Sequence, residues 1–160
     1  MPEAVLFVVR GKPEPGGSKT PGVTNSGRRF VREANPAVKE WRRRVADAAT
    51  QAMDGRALLA GELRLDVGFY LTRPKGHLGT GRNAGKVKAS APKRPTTKPD
   101  TTKLLRALED ALRGIVWADD CQVVSQEATK WYAEPGEPPR AEVLVAEIES
   151  NRPDPPGSTP

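Results

Sequence analysis

The feature that most constrains this chain is a short apolar rhythm held between two stop signals. Leu104, Leu105, Leu108, Ala111 and Leu112 recur at helical spacing, with Pro99 and Asp100 before them and Gly114 after. Pro99 lacks a backbone donor and Asp100 is a favoured helix N-cap, so the helix begins there. Gly114 tolerates the left-handed backbone that ends a helix. Thr102, Lys103, Arg106, Glu109, Asp110 and Arg113 fall on the opposite, polar side. Past Gly114 come Ile115, Val116 and Trp117, the acidic pair Asp119–Asp120, and a β-rich run. A helix with one apolar stripe, running into a strand, must bury that stripe against a sheet or another helix.

The remainder of the chain supplies both partners. Residues 4–10 are apolar at alternate and intervening positions, which predicts a strand buried on both faces rather than an edge strand. Residues 11–22 hold four glycines and three prolines beside Lys12 and Lys19, and read as a loop. That loop is either a surface turn or a place where amides and lysines approach phosphates. It lacks the GxxxxGK[ST] pattern, so no nucleotide cofactor is expected. From Asn35 and Pro36 a second helix starts, with Val38, Trp41, Val45, Ala48, Ala49 and Ala52 as its apolar stripe. Arg42, Arg43 and Arg44 interrupt it, either as a solvated face or as a grip on a nucleic-acid backbone. Leu63, Leu65, Val67, Phe69 and Leu71 alternate with polar residues as a half-buried strand. Two further strands, over 121–132 and 140–149, are separated by a short Gly/Pro turn and read as an antiparallel hairpin. This order predicts an α+β domain over 1–149, with a small mixed β-sheet and two α-helices packed on one face. Residues 150–160, with four prolines and almost no apolar side chains, read as a disordered tail.

Charge narrows the partner. Among 160 residues, 26 Lys and Arg face 20 Asp and Glu, giving a net charge of +6 and a pI near 9.7. A polyanion is the natural partner for such a surface. The excess is concentrated in residues 73–99: Arg73, Lys75, Arg82, Lys86, Lys88, Lys93, Arg94 and Lys98, with His77 and not one acid. A loop that long is either functional or a basic linker. A single cysteine, Cys121, excludes an internal disulfide, and a lone histidine excludes His-rich metal centres. No apolar run reaches membrane length and no signal-peptide pattern opens the chain, which predicts a soluble, cytoplasmic protein without a membrane partner. Asp100, Asp119 and Asp120 are then the residues for chemistry. Carboxylates that converge bind a hard cation such as Mg²⁺. Taken singly, Asp100 reads as a cap and Asp119–Asp120 as a polar turn.

The run Lys98-Pro-Asp100, Lys103-Leu-Leu-Arg106, Asp110-Ala-Leu112, Gly114 and Asp119-Asp120-x-Gln122-Val123 resembles the signature of the RusA family. The resemblance extends loosely over residues 4–148. It implies a RusA-like fold and a phage-associated, homodimeric endonuclease that resolves Holliday junctions in recombination and repair. It also implies Mg²⁺, or Mn²⁺ in its place. By this resemblance Asp100, Asp119 and Asp120 are metal ligands and catalytic acids, and Arg106 joins them. Lys98, Lys103, Arg73, Lys75, Lys93 and Arg94 are expected on branched DNA. The chain departs from the family at Thr102, where a second aspartate is usual, and it has Lys103 for Asn and Arg106 for Lys. Glu109 either replaces the missing carboxylate or pairs with Arg106 or Arg113 on the helix surface. The alternative function is a weakened or inactive protein that binds branched DNA, and a further one is a structural or partner-binding protein.

Overall fold

A computed structural model describes residues 2–149; the tail expected over 150–160 lies outside them. Four strands form the main sheet: β1 (Ala4–Arg10), β4 (Leu63–Leu71), β5 (Val123–Tyr132) and β6 (Arg140–Glu147), in the order β1-β6-β4-β5. β2 (Lys19–Val23) and β3 (Arg29–Glu33) form a separate antiparallel hairpin inside what the sequence presents as loop. Pro21 and Gly22 are poor strand formers, and the pairing is exposed nearly throughout, so no apolar alternation announces it.

Two helices cover one face of the main sheet. In α1 (Ala37–Met53) the Asn35 Oδ1 accepts from the Ala37 N–H at 3.1 Å, and Val38, Trp41, Val45, Ala49 and Met53 are buried. In α2 (Thr101–Leu112) Leu104, Ala107, Leu108, Ala111 and Leu112 are buried. They meet the inward residues of β4 (Leu63, Leu65, Val67, Phe69) and of β6 (Ala141, Val143, Val145) in one continuous core, completed by Trp117. The mixed sheet with two helices on one face is the expected architecture.

Two expectations are corrected. β1 is an edge strand, and only Val5, Phe7 and Val9 are buried; Leu6 is 72% and Val8 45% exposed on the helix-free face. Apolar residues on both faces do not force burial, because folded surfaces keep much apolar area. The second correction concerns β5 and β6, which are not hydrogen-bonded to each other. β4 lies between them, antiparallel to β6 and parallel to β5. The connection after β5 has only to step over one strand, about 10 Å, and seven residues reach that easily. Loop length alone does not tell a hairpin from this skip. The consequence is large: β4, α2 and β5 form a β-α-β crossover, in which the helix runs antiparallel to both strands.

Candidate active site

Asp100 stands at the start of α2 in an extended conformation, and its carbonyl receives the Lys103 and Leu104 amides at 3.1 Å. Its carboxylate makes no capping hydrogen bond. The nearest cation, the Lys103 ammonium, is 4.0 Å away, and the Asp100 side chain is 60% exposed. A cap residue whose oxygens are left open is available to a ligand. Around it Lys12, Ser18, Lys98 and Lys103 line a cavity of about 350 Å³. Lys103 Nζ donates to Ser18 Oγ at 3.0 Å.

The loop before β2 lies flat on α2. Gly16 N–H donates to the Lys103 carbonyl at 3.0 Å, and Gly17 N–H donates to Glu33 Oε1 at 2.9 Å. These amides are therefore taken within the chain rather than offered to phosphates. Gly17, at φ +86°, passes so close to Arg106 that a Cβ there would come within 2.6 Å of its guanidinium. Only glycine fits both the backbone and the approach. Arg106 makes no ion pair among the described residues.

The acidic pair sits elsewhere. Asp119 caps a single 3₁₀ turn (Asp120–Gln122): its Oδ1 accepts the Cys121 amide at 3.0 Å, while Gln122 Oε1 accepts the Asp119 amide at 3.1 Å. The Cys121 amide holds the Asp119 carboxyl below its usual range. Asp120 is half-buried. Its Oδ1 accepts the indole N–H of the fully buried Trp117 at 2.8 Å, and its Oδ2 pairs with Arg113 at 3.1 Å. Trp117 and Arg113 carry no sequence signal for this role; they were legible only as core and helix surface. Glu109 accepts a hydrogen bond from the Gln126 amide and forms no ion pair with Arg106 or Arg113. Burial first, and then the charge of Asp120, push its carboxyl above the ordinary value of 4.5.

That shift has a stability consequence with a definite sign. A raised carboxyl binds its proton more tightly folded than unfolded, so its folded, ionised form is penalised as pH rises through and above 4.5. Glu109→Gln keeps the acceptor for Gln126 and removes the charge. It is expected to raise the thermal midpoint at pH 7, with the gain vanishing below about pH 4.5. Melting curves across pH 4–8 check this, and an unchanged midpoint at pH 7 contradicts it.

Asp100 and Asp120 do not meet. They mark opposite ends of α2, whose 12 residues span about 18 Å. Among the described residues no three Asp, Glu, His or Cys side chains are grouped to hold one ion. The expected convergence within one chain is thus corrected, for a topological reason. In a β-α-β unit the start of the helix and the start of the next strand lie at opposite ends of the strands. The donor chemistry still fits a hard cation. Glu109 and Asp120 present carboxylate oxygens close enough to repel one another, and Mg²⁺ takes one or two carboxylates and keeps its waters.

The basic loop saddles the C-terminal end of β5. Arg73 stacks on Tyr132 at 4.4 Å, with His77 edge-on to the same ring, and Arg94 stacks on Trp131 at 3.9 Å. Lys130 Nζ donates to the Thr97 and Pro99 carbonyls at 2.9 and 3.0 Å, tying the loop down just before Asp100. None of the loop's eight cations has an acid partner within 4.0 Å among the described residues. The arginines of α1 differ. Arg42 pairs with Asp110 and Glu33, Arg43 with Glu40 and Asp47, and Arg44 with Glu40.

Comparison with known proteins decides the family. The profile of endodeoxyribonuclease RusA matches residues 12–146. The chain belongs to the RusA family. It is also 31% identical over 149 residues to YqaN of Bacillus subtilis (strain 168), an uncharacterized protein, covering 91% of this chain and 98% of that one. Membership in RusA places the chain among DNA endonucleases, with DNA as its partner. The matched span holds α2, the basic loop and both acidic positions. No helix among the described residues is long and apolar enough to cross a membrane.

Proposed function

We propose that this RusA-family chain is a divalent-metal-dependent endonuclease that cuts branched DNA, four-way Holliday junctions above all, as a homodimer. One observation carries the reading: a run of cations without acid partners leads directly to Asp100, whose carboxylate is free of capping. Phosphates drawn along the loop arrive at an open oxygen ligand.

Asp100 at one end of α2 and Asp120 at the other each offer carboxylate oxygens to a divalent ion. Asp119 shares the charge and, by capping its turn, fixes the backbone that carries Asp120. Glu109 offers the carboxylate that Thr102 does not. A bound Mg²⁺ or Mn²⁺ supplies an activated water and offsets charge on the phosphate. Arg106, without an acid partner, meets the phosphoryl oxygens as their charge grows. Lys98 and Lys103 hold the neighbouring phosphate. Lys75 and Lys93 extend the track along the DNA, while Arg73 and Arg94 serve it by stacking on Tyr132 and Trp131. A twofold dimer suits a junction whose two opposing strands are cut symmetrically.

Thr102 favours one other reading, a protein that grips branched DNA without cutting it. A synthetic mobile four-way junction and a linear duplex of equal length separate the two. Symmetric nicks confined to the junction and dependent on Mg²⁺ are expected. Tight junction binding with no nicks at any Mg²⁺ or Mn²⁺ concentration leaves a binding protein, and equal affinity for both DNAs removes the branched-DNA reading altogether.

A further inference from the structure

We infer that the β2–β3 ribbon is a second DNA-contacting arm, with Arg28 and Arg32 on phosphates and Phe30 stacked on a base exposed where the arms of branched DNA part. This rests on the reading of branched DNA as the substrate. Residues 19–33 carry Lys19, Arg28, Arg29 and Arg32 against a single acid, Glu33. That acid is engaged at the root of the ribbon: it accepts the Gly17 amide at 2.9 Å and the Lys19 ammonium at 2.7 Å, and lies 3.6 Å from Arg42. Arg28, Arg29 and Arg32 have no acid partner within 4.0 Å among the described residues. The root is also tied to α2, where Lys103 binds Ser18 through its ammonium and Gly16 through its carbonyl. The ribbon therefore departs within one helical turn of Asp100. Its strands bond to no strand of the main sheet, and five cross-strand pairs give it a length of about 17 Å.

The register sorts the side chains of the ribbon. Thr20 pairs with Arg32 and Gly22 with Phe30, and the Thr24 amide donates to the Arg28 carbonyl at 2.9 Å where the turn closes. Alternation along the strand puts Arg28, Phe30 and Arg32 on one face, in the order cation, ring, cation. The two arginines are about 13 Å apart along the chain. Phe30 lies flat: a Cβ at Gly22 would run into its ring, so only glycine lets the ring rest on the ribbon backbone. The ring takes no part in the hydrophobic core, and Phe30 is 38% exposed. An aromatic ring held flat on a strand and open on its other side is a stacking platform, and every base has a π-face to offer it. Continuous duplex hides those faces between neighbours; at a branch the last pair of each arm loses one neighbour. The arginines on either side supply the phosphate contacts that set such a platform in register.

Salt-dependent binding without divalent metal tests this, since no strand is then cut. The native chain, Arg28→Ala/Arg32→Ala and Phe30→Leu are titrated with a four-way junction and with a linear duplex of equal length. Loss of two phosphate contacts is expected to flatten the slope of log K against log salt on the junction by about 2. Arg28→Lys/Arg32→Lys keeps the charges and is expected to restore the slope, which separates lost contacts from a misfolded ribbon. Phe30→Leu keeps an apolar side chain over Gly22 and loses the π-face. It is expected to weaken junction binding about tenfold and to leave duplex binding unchanged. A native slope in Arg28→Ala/Arg32→Ala overturns the inference. So does a Phe30→Leu chain that weakens on junction and duplex alike, or on neither. Failure of the proposed function shows in the native chain before any variant is made. A chain that binds the junction but never nicks it in Mg²⁺ loses the endonuclease reading and leaves these slopes to decide the ribbon. Equal native affinity for both DNAs removes the branched-DNA reading and overturns the role of Phe30 with it.

Discussion

Asp120→Asn is expected to lower Mg²⁺-dependent junction nicking by about a thousandfold while leaving junction binding intact. Three decades correspond to about 4 kcal/mol, the scale of the charge stabilisation that a divalent ion contributes in such a reaction. The substitution is close to isosteric. Asn keeps an oxygen to accept the Trp117 indole N–H, so the turn at Asp119 retains its shape. What it loses in the fold is the pair with Arg113, whose side chain is 55% exposed, and such pairs contribute about 0–1 kcal/mol. Loss of one negative charge near DNA leaves affinity equal or slightly tighter. Single-turnover nicking and equilibrium binding, measured on the same junction, separate these effects. Nicking that stays within tenfold of native would remove Asp120 from the metal site.

The second large effect is on stability. Trp117→Ala is expected to cost about 3–5 kcal/mol, as removal of a fully buried aromatic side chain does elsewhere. Trp117 has no exposed surface and closes the core where α2 turns back towards β5. Native domains are stable by about 5–15 kcal/mol, so this change alone approaches unfolding. Trp117→Phe retains most of the volume and loses the N–H. Its smaller stability cost should come with weakened Mn²⁺ binding, because the Asp120 carboxylate is no longer held at Oδ1. Urea titration followed by far-UV circular dichroism measures the first, and calorimetry the second. A loss below about 1 kcal/mol for Trp117→Ala would contradict the packing described here.

These two residues also show how much was legible. Asp120 stood out in the sequence because it belongs to an acidic pair between Gly114 and β5 and because its surroundings match the RusA pattern. Trp117 was visible only as an apolar residue after a helix stop; that its ring nitrogen steadies Asp120 depends on a turn whose cap is Asp119. Arg73 and Arg94 were expected on DNA from charge alone, and the structure stacks both on aromatic rings of β5. Cation–π partners 59 and 37 residues away in sequence leave no local pattern. Conversely, the cap at Asn35, the stripe of α1 and the alternation of β4 follow from spacing alone and stand as read.

The sequence by itself determined the elements: where α1 and α2 begin, which of their faces are apolar, that an acid-free basic loop precedes Asp100, and which family pattern the acids belong to. These are short-range properties, set by caps, periodicity and composition. Strand order was decided only by the tertiary structure. Skipping β4 between β5 and β6 makes α2 a crossover helix, and a crossover helix runs against its strands. That single pairing sends Asp100 and Asp120 to opposite ends of the strands, a separation that local spacing does not encode.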